Sequence, residues 1–316
     1  MNLGKVLVTG GAGFIGSQLL KRIVPYCEKI YVIDDLSTGQ YSAIPKANNI
    51  CFFKDCITNV DLLAGLLPHV DYVFHLACSN LLKSVSNLEH DFYVNLYGGF
   101  TLLRLVQKHC YKLKRFIYTS TVSVYSNAEI LPTPEDYYKI SLPYAASKFA
   151  TEHYCAVYYH LSRLPVCVLR LSNVYGPGQT TENPYCGVVA KFFEAAMAKK
   201  PLVIYGDGRQ TRDFTYIDDV IDAILLAVND DKAIGQIYNV GTGIETSIAD
   251  LATKIMQITS FTNGTVIHQP ARPVDIVYRR AIDAQKIQKE LSWKINFSLT
   301  EGLQATYQWL KRGKKE

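Results

Sequence analysis

Val6-Leu7-Val8-Thr9-Gly10-Gly11-Ala12-Gly13-Phe14-Ile15-Gly16-Ser17 is the stretch on which the fold turns. Branched apolar residues make a strand, glycines make a tight turn, and Ser17–Val24 continues as a helix. Glycines there let backbone amides approach a pyrophosphate, and the helix N-terminus adds positive potential. The glycine spacing alone is a weak signal, but here it has the strand–turn–helix context that gives it meaning. Asp34-Asp35 closes the next strand, where an acid that holds a ribose belongs. A carboxylate accepts bonds from two ribose hydroxyls and repels a 2′-phosphate, and no Arg follows to compensate, so NAD is favoured over NADP. Asp55 follows the third strand; it either holds an adenine amino group or caps a turn, and spacing leaves the two readings even.

Outward from that turn, short apolar runs alternate with helical patterns. The strands are Ile30-Tyr31-Val32-Ile33, Cys51-Phe52-Phe53, Tyr72-Val73-Phe74, Arg115-Phe116-Ile117-Tyr118 and Val166-Cys167-Val168-Leu169. Helical segments between them include Asn95–Cys110 and Tyr144–Leu161. Uniformly apolar strands with intervening helices predict an α/β fold, a doubly wound parallel sheet covered on both faces. The alternation weakens after Ser172, where Pro, Gly and Asn punctuate Asn173 to Pro184. Residues 1–172 are expected to form the dinucleotide-binding domain, with return segments near 214–240 (Phe214–Val228 and Ile237–Val240). Residues 173–316 are expected to form a smaller, discontinuous C-terminal α/β substrate-binding lobe.

Apolar residues make up 48% of the 316 and charged residues 19%, enough to bury a large core and against disorder. The net charge of +5 is scattered, apart from Lys311, Arg312, Lys314 and Lys315 at the C-terminus, a pattern of a solvated tail rather than a nucleic-acid site. A mild positive excess suits an anionic small substrate. None of the eight cysteines forms a C-x-x-C pair, so neither a metal site nor a redox motif is indicated, and reduced, scattered thiols fit the cytoplasm. No cleavable signal pattern or membrane-spanning stretch is expected.

Tyr144 and Lys148 are four apart, just after Pro143, which suits a first helical turn; both are expected on one helix face. A nearby ammonium favours phenolate over phenol and makes a tyrosine a base nearer neutrality. With 22 tyrosines in the chain, such a pair is by default surface packing. What distinguishes it is the preceding strand, Phe116 to Tyr125, rich in hydroxyls at the sheet's carboxyl edge, where doubly wound folds bind ligands.

Taken together, Gly10–Gly16, Asp34–Gly39, His75-Leu76-Ala77, Asn95, Thr119–Tyr125, Tyr144-x3-Lys148, Arg170–Gly178, Gly206–Phe214 and Arg272-Pro273-Val274-Asp275 span nearly the whole chain. The chain resembles the extended short-chain dehydrogenase/reductase family, in particular the nucleotide-sugar epimerases and dehydratases of the UDP-glucose 4-epimerase type. The resemblance implies a Rossmann fold and NAD as coenzyme. It implies that Tyr144 is the catalytic base, that Lys148 holds the nicotinamide ribose and depresses the tyrosine pKa, and that Thr121 hydrogen-bonds the reacting hydroxyl. Coenzyme contacts are implied for Gly10, Gly13, Phe14, Ile15 and Gly16, for Asp34, Asp35, Leu36, Ser37, Thr38 and Gly39, and for Asp55 and Cys56. Leu76, Ala77, Asn95, Thr119 and Ser172 complete that set with Tyr144 and Lys148. Substrate contacts are implied for Thr121, Tyr144, Asn173, Val188, Tyr205, Arg212 and Arg272. Two guanidinium forks suit a diphosphate. Tyr205 either packs against the nucleotide base or is a core aromatic.

Family dehydratases carry Asp-Glu directly after the catalytic threonine, and decarboxylating relatives a Glu at the second position. Here these are Val122 and Ser123, which lack an acid or base useful near neutrality. The expectation is an NAD-dependent 4-epimerase of a nucleotide-diphosphate sugar, acting through a 4-keto intermediate on a UDP-hexose, UDP-N-acetylhexosamine or UDP-uronate. The alternatives are a dehydratase or ketoreductase and, from another class, a catalytically silent NAD-binding regulator. A homodimer through Asn95–Cys110 and Tyr144–Leu161 is implied, with neither nucleic-acid nor membrane partners. The chain departs from the family at Ser126, in the loop from Cys78 to Val85, and at Val274. Arg279 or Arg280 falls where relatives control access of the C2 substituent; an arginine there reads a sugar carboxylate or is a solvated side chain.

Overall fold

The computed structural model describes residues 1–183 and 186–313. Pro184, Lys314 and Lys315, named above, lie outside them. The first six strands are β1 (Gly4–Thr9), β2 (Cys27–Asp34), β3 (Ile50–Lys54), β4 (Tyr72–His75), β5 (Arg115–Thr121) and β6 (Val166–Leu171). With the strand Ile237–Val240 they form one seven-stranded sheet, in which β3-β2-β1 is followed by β4-β5-β6 and then Ile237–Val240. Pairing is parallel from β3 through β2, β1 and β4 to β5. The order reverses between β1 and β4, so the glycine turn after β1 lies at the switch point of a doubly wound sheet. All seven residues of β5 and all six of β6 are buried, as strands covered on both faces must be. One core layer packs Leu7, Ile33, Val73 and Phe116 of the sheet against Leu102, Leu103 and Val106.

The chain divides into two compact units. The first comprises Met1–Val124, Ile140–Arg170 and Ile221–Tyr238. The second comprises Tyr125–Lys139, Leu171–Val220 and the chain from Asn239 on. The second unit contains a parallel strand pair, Leu202–Tyr205 with Val266–Gln269, and an antiparallel one, Thr211–Arg212 with Thr246–Ser247. Asp213 organises it from inside. Fully buried, its carboxylate accepts from the Thr242 N–H and hydroxyl and from the Gly243 and Ile282 N–H groups.

Two expected elements differ. Ile237–Val240 does join the main sheet, but the strand in the expected Phe214–Val228 return segment, Phe214–Tyr216, pairs with Asn173–Tyr175 in a separate two-stranded sheet. The chain then becomes the helix Ile217–Asn229. The helix expected from Asn95 starts earlier, at Leu88–Asp91, and passes through wide π-helical turns at Phe92–Gly98 before Gly99–His109. Such widened turns accompany side chains that bond outside the helix, as Asn95 does here. Among the described residues, no helix is long and apolar enough to cross a membrane.

Candidate active site

The glycine turn is a cradle closed on one side and open on the other. Gly10 has φ of +73°, and a Cβ there would sit 2.6 Å from the Ala77 nitrogen. A Cβ on Gly16 would overlap the Gly10 carbonyl, whereas one on Gly13 would meet only that carbonyl, at 3.3 Å. Helix α1 (Phe14–Ile23) starts at Gly13 with no side-chain cap, which leaves the first-turn N–H groups of Phe14, Ile15 and Gly16 to an incoming anion. Asp34 ties this turn to the end of β2: its Oδ2 accepts from the Ala12 N–H at 2.9 Å and its Oδ1 from the Leu36 N–H at 2.9 Å. Burial pushes its carboxyl up and these amide bonds pull it down. The Asp35 carboxylate accepts from the Ser37 N–H, and the Gln40 N–H to the Ala12 carbonyl closes the loop that contains Thr38 and Gly39. Leu76 and Ala77 donate to the Thr9 carbonyl and hydroxyl, and Thr119 donates to the His75 carbonyl. Asp55 bonds the Cys56 N–H and the Asn59 amide, both at 2.7 Å, so its carboxylate is engaged as a turn cap.

The helix Pro143–Ser162, begun by proline, carries Tyr144 and Lys148. Thr121 ends β5; its hydroxyl accepts from the Ser123 N–H at 3.1 Å and donates to the Ser123 hydroxyl at 3.2 Å. Thr121 also hydrogen-bonds Tyr144, which favours the phenolate, while Cys78 acts on the same oxygen in the opposite direction. Burial outweighs both and holds the Tyr144 hydroxyl well above the ordinary phenol range. Lys148 is not among the main groups that shift it. The Lys148 ammonium lies over the Tyr118 ring, 4.3 Å from its centroid. In the protein alone the direction on Tyr144 is upward and set by burial, opposite to the depression that the family resemblance implies.

Lys148 is 2% exposed and, among the described residues, makes no salt bridge. Glu152, one turn further on, is committed to Arg170, with Nη2 to Oε2 at 2.6 Å, and to the Ser120 hydroxyl. Burial pushes the ammonium pKa down, and the nearby charges of Glu152 and Asp91 act against that push without forming a salt bridge. A dinucleotide suits this arrangement: a cradle that a side chain would fill, uncapped amides, and a buried cation awaiting polar partners.

Asn95 fastens the loop after β4. Its Oδ1 accepts from the Ser79 N–H at 2.7 Å, its Nδ2 donates to the Ser79 carbonyl and to Asp91, and its own carbonyl accepts from Thr151 on the Tyr144 helix. That clamp carries neighbouring Cys78 to Tyr144. The sequence marks this loop as a departure from the family but gives Cys78 no role; its action on the Tyr144 hydroxyl shows one.

The second unit holds the other residues expected to meet substrate. Asn173 opens a short strand, and its buried Oδ1 has no hydrogen-bond partner among the described residues. Tyr205 is half-buried and stacks on the Arg272 guanidinium at 4.7 Å rather than in the core. Arg272 forks onto Asp275, at 2.7 and 2.8 Å. Arg212 donates to the Thr211 carbonyl at 2.7 Å and feels both Asp275 and Arg272, so the three share one neighbourhood. Val188 begins the helix Val188–Met197, and the Ser172 hydroxyl bonds Thr215 at 2.5 Å.

A switch-point cradle with a Thr-Tyr-Lys set defines a dinucleotide-dependent α/β enzyme of the extended short-chain dehydrogenase/reductase type. Residues 6–241 match the family model for the NAD-dependent epimerase/dehydratase family, and the chain belongs to that family, whose coenzyme is NAD. It is 34% identical over 315 residues to a putative UDP-glucose 4-epimerase of Methanocaldococcus jannaschii, covering 98% of this chain and 99% of that one. It is 32% identical to the UDP-N-acetyl-alpha-D-glucosaminuronate decarboxylase of Bacillus cytotoxicus, covering 97% and 98%. Among solved structures it is similar to a Thermotoga maritima UDP-glucose 4-epimerase crystallised with UDP-glucose, with a TM-score of 0.91, 33% identity, and 98% and 99% of the two chains covered.

Proposed function

We propose that this enzyme inverts C4 of a nucleotide-diphosphate sugar. The observation that carries the reading is the pair after Thr121. Val122 is buried and has no titratable group, and Ser123 is occupied with Thr121. No carboxylate of the kind elimination requires stands at either position. Bound at the glycine turn, the coenzyme supplies a reversible hydride acceptor, which is the chemistry that inversion at a secondary alcohol needs. Tyr144 Oη takes the proton of the sugar hydroxyl and later returns it. Thr121 orients that hydroxyl, and the Lys148 ammonium stabilises the negative charge that develops on the phenol. The diphosphate is assigned to Arg212 and Arg272, and Asn173, Val188 and Tyr205 to the rest of the nucleotide sugar. Binding energy held on the nucleotide leaves the hexose free to turn between oxidation and reduction.

We assign the same enzyme to the cytoplasm, consistent with its eight free cysteines, and to a homodimer. The dimer face is the pair of helical segments that expose Leu88, Phe92 and Tyr93 on one and Val157 and Leu161 on the other.

Incubation with UDP-, GDP-, CDP- and dTDP-sugars, read by NMR, tests the reaction. The expected product has the mass of its substrate, an inverted C4 and no net NADH. A stable 4-keto product or released carbon dioxide overturns the reading in favour of dehydration or decarboxylation. Tyr144→Phe is expected to lower turnover about 10³-fold with NAD still bound; undiminished turnover removes Tyr144 from the chemistry.

A further inference from the structure

Arg279 and Arg280 are neighbours with opposite fates. Arg279 is exposed and forks onto Glu245, with Nε to Oε1 at 3.0 Å. Arg280 is turned inward, 9% exposed, and makes no salt bridge among the described residues. Its buried Nε has no hydrogen-bond partner among the described residues. The carboxylate that acts on it, Asp213, is already filled by four donors from residues 242, 243 and 282. The backbone places it beside the arginine strand: the Thr211 N–H donates to the Tyr278 carbonyl at 2.8 Å and the Arg280 N–H to the Thr211 hydroxyl at 3.2 Å. The positive charge of neighbouring Arg212 bears on it unfavourably.

An unpaired buried guanidinium beside a second one is costly unless an anion completes it. Within this cluster Arg272 is engaged by Asp275 and Arg212 by a backbone carbonyl. Among the described residues Arg280 is the one of the three whose guanidinium makes neither a salt bridge nor a side-chain hydrogen bond. Resting on the nucleotide-sugar reading above, we infer that Arg280 binds an oxyanion of the substrate, completing with Arg212 and Arg272 a three-arginine site in the second unit. That oxyanion is either the diphosphate or a carboxylate on the sugar. Both offer a pair of oxygens that a guanidinium fork can meet with two hydrogen bonds.

Calorimetric titration of the NAD-loaded enzyme with UDP, UDP-glucose and UDP-glucuronate tests it, comparing wild type with Arg280→Gln and Arg280→Lys. Arg280→Gln is expected to weaken UDP-glucuronate at least ~10-fold. An equal loss for all three ligands supports the diphosphate; a loss confined to UDP-glucuronate supports the carboxylate. Arg280→Lys is expected to fall between, since it keeps charge without the fork. The ligand-free Tm of Arg280→Gln is expected to match or exceed wild type, because an uncompensated buried charge is removed. All three ligands binding the variant as they bind wild type, or a lowered Tm with unchanged affinities, overturns the inference. Wild type that binds none of the three overturns the nucleotide-sugar reading itself and this inference with it.

Discussion

In each compact unit a carboxylate neutralises one of two cations and leaves its neighbour bare. In the first, Glu152 takes Arg170 and leaves Lys148 buried without a salt bridge among the described residues. In the second, Glu245 takes Arg279 and leaves Arg280 buried with an orphaned Nε. The settings differ in depth. The Arg170–Glu152 pair is 3% and 2% exposed, whereas the Arg279 side chain stands 59% exposed. A structural pair inside a core is expected to carry stability; a pair at the surface is expected to carry almost none. The bare cation beside each marks where charge is expected to enter with a ligand.

Lys148→Met offers the largest effect and the sharpest test of the first half. Turnover is expected to drop by about 10² to 10³-fold, with weaker NAD binding by fluorescence titration. The Tm of the coenzyme-free variant is expected to hold or rise, because methionine replaces a desolvated ammonium with an apolar chain of similar length. A large loss of Tm shows instead that Lys148 is part of the framework, and the distinction from Arg170 disappears.

Glu152→Gln is expected to do the reverse. It removes the carboxylate that holds Arg170 and accepts from Ser120, leaving a buried guanidinium uncompensated. The expected cost is about 3–5 kcal/mol, read as a fall in midpoint by denaturant titration. A change below about 1 kcal/mol places this pair with the surface ones.

The legibility of the two units follows from how far apart their parts lie in the chain. The coenzyme cradle runs from Gly10 to Gly16, and the Tyr144–Lys148 spacing is one helical turn, so both were readable from local pattern. The β-strands were equally readable because β5 and β6 are buried throughout and carry the apolar runs Phe116-Ile117-Tyr118 and Val166-Cys167-Val168-Leu169. The arginine cluster joins positions near 212, 272 and 280, and which of Arg279 and Arg280 is neutralised depends on Glu245, 34 residues from Arg279. No periodicity encodes that choice. The Phe214–Val228 return segment misled for a related reason: its strand, Phe214–Tyr216, is short, and which sheet it joins depends on a distant partner, here Asn173–Tyr175.

Cys78 sharpens the picture of the catalytic half more gently. Its thiol raises the Tyr144 hydroxyl, whereas Thr121 lowers it. Cys78→Ala is therefore expected to lower the tyrosine pKa, so the phenolate becomes available at lower pH. The acidic limb of the kcat/KM profile is expected to move to lower pH, with turnover on the plateau retained. A limb that stays in place shows that the thiol does not bear on the proton being transferred.

Arg279→Ala is expected to do least. Its guanidinium is solvent-exposed, its bond to Glu245 competes with water, and Glu245 keeps its hydrogen bond from the Thr211 hydroxyl when the arginine is gone. Tm and affinity for UDP-sugars should both match wild type, although the residue adjoins Arg280 and has the same formal charge. Identical charge with opposite consequence is what separates a paired surface cation from an unpaired buried one. If Arg279→Ala weakens UDP-sugar binding as much as Arg280→Gln does, long-range potential rather than a desolvated fork governs the second unit, and raising the salt concentration should erase both losses alike.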